Sequence, residues 1–158
     1  MIKAESTIAV VKSITVRAPQ ERAFRVFTEQ YNTWWPRGHH IGKADLAEAI
    51  IEPKVGGRYY ERGVDGSECD WGRVLAYDPF DRVVVSWGLQ EDWGYDPDPA
   101  KHSEVEVRFI PEGPDRTRVE LEHRHIERHA KPEEVVKGVD APGGWGGLLE
   151  LYAEKAAV

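Results

Sequence analysis

Residues 145–156 read WGGLLELYAEKA, and residues 103–126 before them read SEVEVRFIPEGPDRTRVELEHRHI. In the first stretch Trp145, Leu148, Leu149, Tyr152 and Ala156 recur at i, i+3, i+4, i+7 and i+11. That is one face of an α-helix, with Glu150, Glu154 and Lys155 pointing elsewhere. In the second stretch Val105, Val107 and Phe109, then Val119 and Leu121, alternate with charged or polar residues. Alternation of this kind makes two antiparallel strands, 103–110 and 117–126, with one dry face, and Gly113-Pro114-Asp115 supplies the turn. A half-dry sheet followed by one long amphipathic helix has a simple solution, in which the sheet curls around the helix.

Further strands are expected at 81–88, where Val83, Val85 and Trp87 alternate, and at 68–77, 57–62 and 46–52. Asp65-Gly66 and Asp78-Pro79 give turn chemistry between them. A first strand over 8–17 ends at Ala18-Pro19, and Pro19 suits the first position of a short helix over 19–29. Ala23, Phe24 and Phe27 form its inner edge, and Glu21 sits at the positive end of its dipole. Residues 30–45, QYNTWWPRGHHIGKAD, read as a short helix and a lid, and 88–102 as a long loop carrying Trp93 and Tyr95. No repeat, low-complexity stretch or linker divides the chain. It is expected to be one α+β domain over 1–158, with about seven curved antiparallel strands around a long C-terminal helix.

Twenty-one Lys and Arg against 28 Asp and Glu leave a net charge of −7, the wrong sign for nucleic acid or an anionic membrane as partner. The longest aliphatic run, Val83 to Val85, falls far short of the roughly 20 apolar residues of a spanning helix, and no basic-then-apolar leader opens the chain. Cys69 is the single cysteine, which precludes an internal disulfide and fits a cytoplasmic location. No nucleophile elbow, phosphate loop, dinucleotide turn or C-x-x-C pair occurs, and no cofactor is expected. Six Trp and six Tyr in so short a chain point to an aromatic pocket.

The order of motifs carries a resemblance: the Ala-Pro-x-Glu helix, Trp-Trp-Pro with His-His-Ile-Gly, Glu-Pro-x-x-Gly-Gly-Arg, Trp-Gly-x-Val, Thr-Arg-Val-Glu-Leu-Glu-His and the closing Gly-Gly-Trp helix. Over about 11–156 this resembles the START-like or SRPBCC superfamily, in the branch similar to the C-terminal domain of the activator of heat shock protein 90 ATPase. The resemblance implies a helix-grip (START-like, Bet v-like) fold with an elongated cavity between sheet and terminal helix. It does not fix the chemistry, because the fold hosts binders, carriers and cyclases alike. The co-chaperone that gave the branch its name has a separate N-terminal domain for which this chain has no room, so a chaperone partner is not expected. A homodimer is compatible with the sequence but not derivable from it.

On the last strand His123 and His125 share the face of Val119 and Leu121, which places both imidazoles inside the cavity or at its mouth. His123 is a candidate for orienting a ligand or for acid–base work, the alternative being a histidine satisfied by a carboxylate such as Glu61. Alternation puts Tyr59 and Glu61 on one face of their strand and Arg58, Tyr60 and Arg62 on the other, and likewise lets Glu68, Asp70, Gly72 and Val74 share a face of theirs. Glu61 or Asp70, if turned inward, would be a candidate acid or base; a rim salt bridge is the alternative favoured for Asp70 and Glu68. His39 and His40 lie on the lid. Their spacing with His123 and His125 is poor for a metal, none is expected, and capping the cavity or bonding the loop backbone suits them better.

The expected ligand-binding residues are Trp35, His39, Tyr59, Trp71, Trp87, Trp93, His123, His125, Trp145, Leu149 and Tyr152. Gly143, Gly144, Gly146 and Gly147 around Trp145 imply either close sheet contact or room for a ligand. The reading preferred is binding of a small, largely hydrophobic, lipid-like molecule. An enzyme of the cyclase or dehydratase kind, using His123 with Glu61 or Asp70, is the rival, and a protein-interaction module the third reading.

Overall fold

Among residues 8–158, which the computed structural model describes, the alternating stretches become seven strands. These are β1 (Val10–Val16), β2 (Leu46–Ile51), β3 (Arg58–Gly63), β4 (Glu68–Asp78), β5 (Arg82–Trp87), β6 (Ser103–Gly113) and β7 (Arg116–Arg124). Residues 1–7, on which the expectation of no leader bears, lie outside the described residues. The strands form one sheet in the order β1-β7-β6-β5-β4-β3-β2, every pair antiparallel. From β2 to β7 the path is a meander, and β1 closes the far edge with Val10 opposite His123 and Val16 opposite Thr117.

The helices are α1 (Gln20–Thr28), α2 (Tyr31–Trp34), α3 (Pro132–Val139) and α4 (Trp145–Ala156). Pro19 stands one place earlier than its chemistry suggested: with ψ 156° it is extended and flanks α1 rather than opening it. α3 has no counterpart in the pattern of strands and one long helix. Its signals are present nonetheless, with Pro132 at the first position, Glu133 and Glu134 in the first turn, and Val135 and Val139 buried four apart.

α4 lies across the concave face and rests on β1, α1 and α2. Leu148, Leu149, Tyr152 and Ala156 meet Phe24 and Phe27 of α1 and the inward row Val105, Val107, Phe109, Val119 and Leu121, all buried in one continuous core. Full burial of each larger apolar side chain contributes about 1.5–3 kcal/mol, and that burial holds sheet to helix. This is the helix-grip architecture. The convex face is drier than simple alternation implies, because Val84, Ser86 and Glu106 are buried there too. The Glu106 carboxylate accepts from Arg82 Nη1 and Arg124 Nη1, both at 2.7 Å, and the two arginine stems roof over apolar surface.

One irregularity matters for the site. Tyr59 faces Gly72 and Tyr60 faces Asp70, so Trp71 is an extra residue in β4. The bulge changes the phase of the strand, and Trp71 and Val74 both reach the core. Glu68, Asp70 and Val74 therefore do not share a face, contrary to the straight alternation of the sequence.

Candidate functional site

At the Trp145 end of α4 the sheet and helices do not close on each other. They leave a partly open cavity of about 340 Å³, within the ~300–1,000 Å³ range of small-molecule sites. Trp35, Trp71, Trp87, Trp93 and Trp145 all line it, five of the six tryptophans in the chain. Each comes from a different element. Trp35 follows α2, Trp71 is the bulged residue of β4, Trp87 ends β5, Trp93 sits on the 88–102 loop and Trp145 opens α4. The rings brace one another, with Trp35 to Trp71 at 5.4 Å and Trp87 to Trp145 at 5.5 Å between centroids. Trp34, the sixth, packs on Phe27 and Tyr152 and donates to the Val26 carbonyl.

Trp93 is the half-exposed member of the set, and its backbone is left-handed at φ 65°, a conformation that costs a non-glycine residue about 1–2 kcal/mol. A bridge between Leu89 and Tyr95 and the bond of His102 Nε2 to the Asp96 carbonyl hold its loop. Gly138 of α3 lets the indole approach, since a Cβ there would stand 3.2 Å from Trp93 Cζ2. The floor and rim include Gly138 and Val139 of α3, Ala141, Gly143 and Gly144, Leu148, and Gly38 to Ile41. Sequence reasoning missed the α3 residues because it missed α3.

His39 lines the cavity with its Nε2 3.0 Å from the Gly143 carbonyl, joining the 35–45 segment to the start of α4. His40 also lines it, its Nδ1 2.9 Å from the Gly42 carbonyl. Among the described residues no three His, Cys, Asp or Glu side chains gather around a common point. Likewise, no described helix is long and apolar enough to cross a membrane.

His123 faces inward, as alternation requires, but it does not reach the cavity. It is fully buried behind Trp87 and Trp145, at 5.3 and 6.1 Å between ring centroids. Trp145 Nε1–H donates to His123 Nδ1 at 3.0 Å, which leaves the imidazole proton on Nε2, 2.8 Å from Ser103 Oγ. The Ser103 hydroxyl is then free to donate to His129 Nε2 at 2.7 Å. His123 thus orients the Trp145 wall. Burial, then the nearby His129, lowers its pKa to about 3, so it is neutral across the physiological range and unsuited to acid–base work near neutrality.

The same burial predicts an acid-sensitive fold. Below about pH 6.5 the unfolded chain takes up a proton that native His123 refuses until about 3. Stability should therefore fall with acidification, approaching about 1.4 kcal/mol per pH unit below pH 6. His129, lowered chiefly by burial, adds in the same direction. Glu68, Glu106 and Glu127 are also lowered, but they contribute only as pH drops past the usual carboxylate range. Urea midpoints at pH 7, 6 and 5 check this, and His123→Asn should flatten the slope; an equal slope in both proteins would contradict a neutral buried ring.

His125 lies beyond the last residue of β7 and turns left-handed at φ 60°. The alternation that placed it inside ends at Arg124, and its ring meets Glu127 instead of the cavity. Tyr59, Leu149 and Tyr152 also lie outside the cavity wall. The Tyr59 and Tyr31 hydroxyls bond each other at 2.6 Å, and the Tyr152 hydroxyl donates to the Ala23 carbonyl; burial raises all three phenols. Around Trp145, an added Cβ at Gly144 or Gly147 would strike the Val139 or Pro142 carbonyl. The close approach is thus to the α3–α4 connection and not to the sheet, while Gly143 and Gly144 also border the cavity.

Glu61 is buried but is not paired with His123. Its Oε1 accepts from Ile41 N at 2.6 Å and Trp71 Nε1 at 2.9 Å, and its Oε2 from Gly42 N at 3.1 Å. It fastens the 35–45 segment and one tryptophan wall to β3. Asp70 is on the opposite face, where Arg58 Nη2 and Nε donate to it at 2.8 and 3.0 Å. Glu68 takes Arg58 Nη1. The acid–base set of His123 with Glu61 or Asp70 is therefore not assembled in the fold.

The chain as a whole is similar in sequence and fold to solved proteins. It is 40% identical to Txn09, described as an anthrahydroquino-γ-pyrone synthase, over 92% of this chain and 95% of that one, with a TM-score of 0.65. CalC of Micromonospora echinospora, described as a self-sacrificing resistance protein, is 32% identical over 94% and 93% of the two chains, with a TM-score of 0.69. PFC0360w of Plasmodium falciparum, described as an HSP90 activator, shares the fold at 21% identity over 74% and 72%, with a TM-score of 0.52. No curated protein matches the sequence. Residues 17–151, from just after β1 into α4, match the model of the Activator of Hsp90 ATPase homolog 1-like proteins, and the chain belongs to that family.

Proposed function

We propose that this protein binds a small, flat, largely hydrophobic molecule of a few fused rings in the tryptophan-lined cavity. The observation that carries the reading is the convergence of five tryptophans from five different elements on one opening. Packing alone asks for no such convergence, whereas large aromatic faces suit stacked and edge-on contacts with a planar ligand. The absence of Lys and Arg from the lining favours an uncharged occupant, because an ion there would lose its water without gaining a countercharge. Likeness to Txn09, a synthase whose product name contains an anthrahydroquinone, supports the same ligand class.

That likeness also favours a second reading, ring closure on the bound aromatic. In it His39 and His40 on the cavity wall, rather than His123, are the titratable groups within reach.

Titration with a hydroxyanthraquinone is expected to quench most of the intrinsic tryptophan emission, since five of six indoles border the cavity. Trp93→Ala should weaken binding roughly tenfold and leave the melting curve near that of the wild type, because Trp93 is half-exposed on a loop. Saturable quenching that survives the loss of Trp93 unchanged would move the ligand elsewhere. Mass analysis of the recovered ligand separates the readings: an unchanged mass fits a binder, a converted one an enzyme.

A further inference from the structure

Three polar side chains stand in a row behind the Trp145 wall, and none of them lines the cavity. Trp145 Nε1 lies 3.0 Å from His123 Nδ1, His123 Nε2 lies 2.8 Å from Ser103 Oγ, and Ser103 Oγ lies 2.7 Å from His129 Nε2. Trp145, His123, Ser103 and His129 are all buried. Each group therefore depends on the next for its hydrogen bond.

One placement of the protons fits these distances best. An indole nitrogen can only donate, so His123 Nδ1 must carry the lone pair. A neutral His123 then holds its proton on Nε2 and needs an acceptor there. Ser103 Oγ serves if its own proton points away, and the choice lies between His129 Nε2 at 2.7 Å and the Trp87 carbonyl at 3.4 Å. The bond to His129 is the stronger. Burial lowers the His129 pKa, which keeps that ring neutral at pH 7 with Nε2 able to accept. Every donor in the row thus points from the cavity wall toward His129, and each bond polarises the next. Were the Ser103 proton aimed at His123 instead, the imidazole proton would move to Nδ1 and face the Trp145 N–H, donor against donor.

We propose that Ser103 and His129 are positioning residues of the ligand site. Ser103 opens β6, and His129 follows the short turn at Ile126–Arg128 after β7. Together they hold His123 in the tautomer that accepts from Trp145, and so fix the tilt of that indole at the cavity wall. This rests on the aromatic-ligand reading above and extends the determinants of affinity to two residues outside the cavity lining.

Nitrogen-15 NMR of the ligand-free protein tests the row, and quenching by a hydroxyanthraquinone tests its consequence. In the wild type at pH 7 His123 should show an unprotonated Nδ1 and a protonated Nε2. Ser103→Ala and His129→Leu should each weaken His123 as an acceptor, move the Trp145 indole proton upfield and raise the dissociation constant on the order of fivefold. His129→Gln offers a carbonyl oxygen as acceptor and should restore both the indole signal and the affinity, whatever its melting midpoint. Equal behaviour of His129→Leu and His129→Gln in both readouts overturns the proposal, because a side chain that only fills space needs no acceptor. So does a dissociation constant unchanged by Ser103→Ala. Should the variants not fold, the wild type alone decides: a proton on His123 Nδ1 overturns the proposal. A wild type that shows the expected tautomer but no quenching overturns the aromatic-ligand reading, and the positioning role falls with it.

Discussion

Gly72→Ala is expected to lower stability by on the order of 4 kcal/mol, moving the melting midpoint down by roughly 10 °C, and to abolish ligand binding. The residue lies at the bulge between β3 and β4, directly after Trp71. A Cβ built there falls inside the Ser86 carbonyl of β5, with the Ser86 hydroxyl oxygen only 2.8 Å away. The two backbones are locked at this height, since Arg73 N donates to Ser86 Oγ at 2.8 Å and Gly88 N to the Trp71 carbonyl at 2.7 Å. A flexible side chain can step aside for a methyl group, but a strand carbonyl cannot, so β4 and β5 must part. Trp71 and Trp87, one residue from the clash on each strand, move with them, and two walls of the cavity are lost together. Gly38→Ala is the matched control. It borders the same cavity, yet nothing lies within 4 Å of its added Cβ, so its effect should stay within about 0.5 kcal/mol. Thermal melts and quenching titrations of the two variants check the contrast. A Gly72→Ala protein that melts with the wild type would mean that the strands are not this tightly apposed.

The sheet and the closing helix were legible because burial imposes a period. The inward row Val105, Val107 and Phe109 can serve only a strand, and Trp145 to Ala156 only a helix. The aromatic cavity was legible in part for a coarser reason. Trp35 and Trp93 stand on Gly- and Pro-rich segments near an opening, and Trp87 and Trp145 on inward faces beside it, so surplus tryptophan pointed there. Period alone fixes a face and not a depth, and it holds only while the strand lasts. His123 therefore faced the correct way and was still assigned to the cavity, although Trp87 and Trp145 stand in front of it. His125 was carried past the end of β7, where the backbone turns left-handed. The bulge at Trp71 has no period of its own, and its one trace in sequence is a glycine inside a strand. α3 carries a legible start signal, Pro132 followed by Glu133 and Glu134, though only Val135 and Val139 mark its inward face. Tertiary partners such as the N–H groups gathered by Glu61 come from segments about 10 to 20 residues away, and no local pattern announces them.

Glu61 and Asp70 are both candidate carboxylates in the sequence, with a rim salt bridge the reading favoured for Asp70, and their substitution should separate them most sharply. Glu61→Ala removes one buried carboxylate and leaves three N–H groups, those of Ile41, Gly42 and the Trp71 indole, without their acceptor. Water can reach the half-buried Ile41 and Gly42 amides but not the buried Trp71 ring. The expected loss is therefore about 3 kcal/mol, below the full sum of three charge-assisted bonds. Binding should fail with it, because the carboxylate ties the 35–45 segment, with Trp35, His39 and His40, to the sheet at the cavity mouth. Glu61→Gln keeps one acceptor oxygen but turns an amide NH2 toward the remaining donors, so it should recover only part of the loss. Asp70→Ala breaks a partly exposed pair with Arg58 on the far face, worth about 0–1 kcal/mol, and should leave quenching by a hydroxyanthraquinone unchanged. Equal losses from Glu61→Ala and Asp70→Ala in urea melts would mean that the clamp on the cavity segment does not govern the fold. A Glu61→Ala protein that binds normally would remove Glu61 from the positioning of the tryptophan wall.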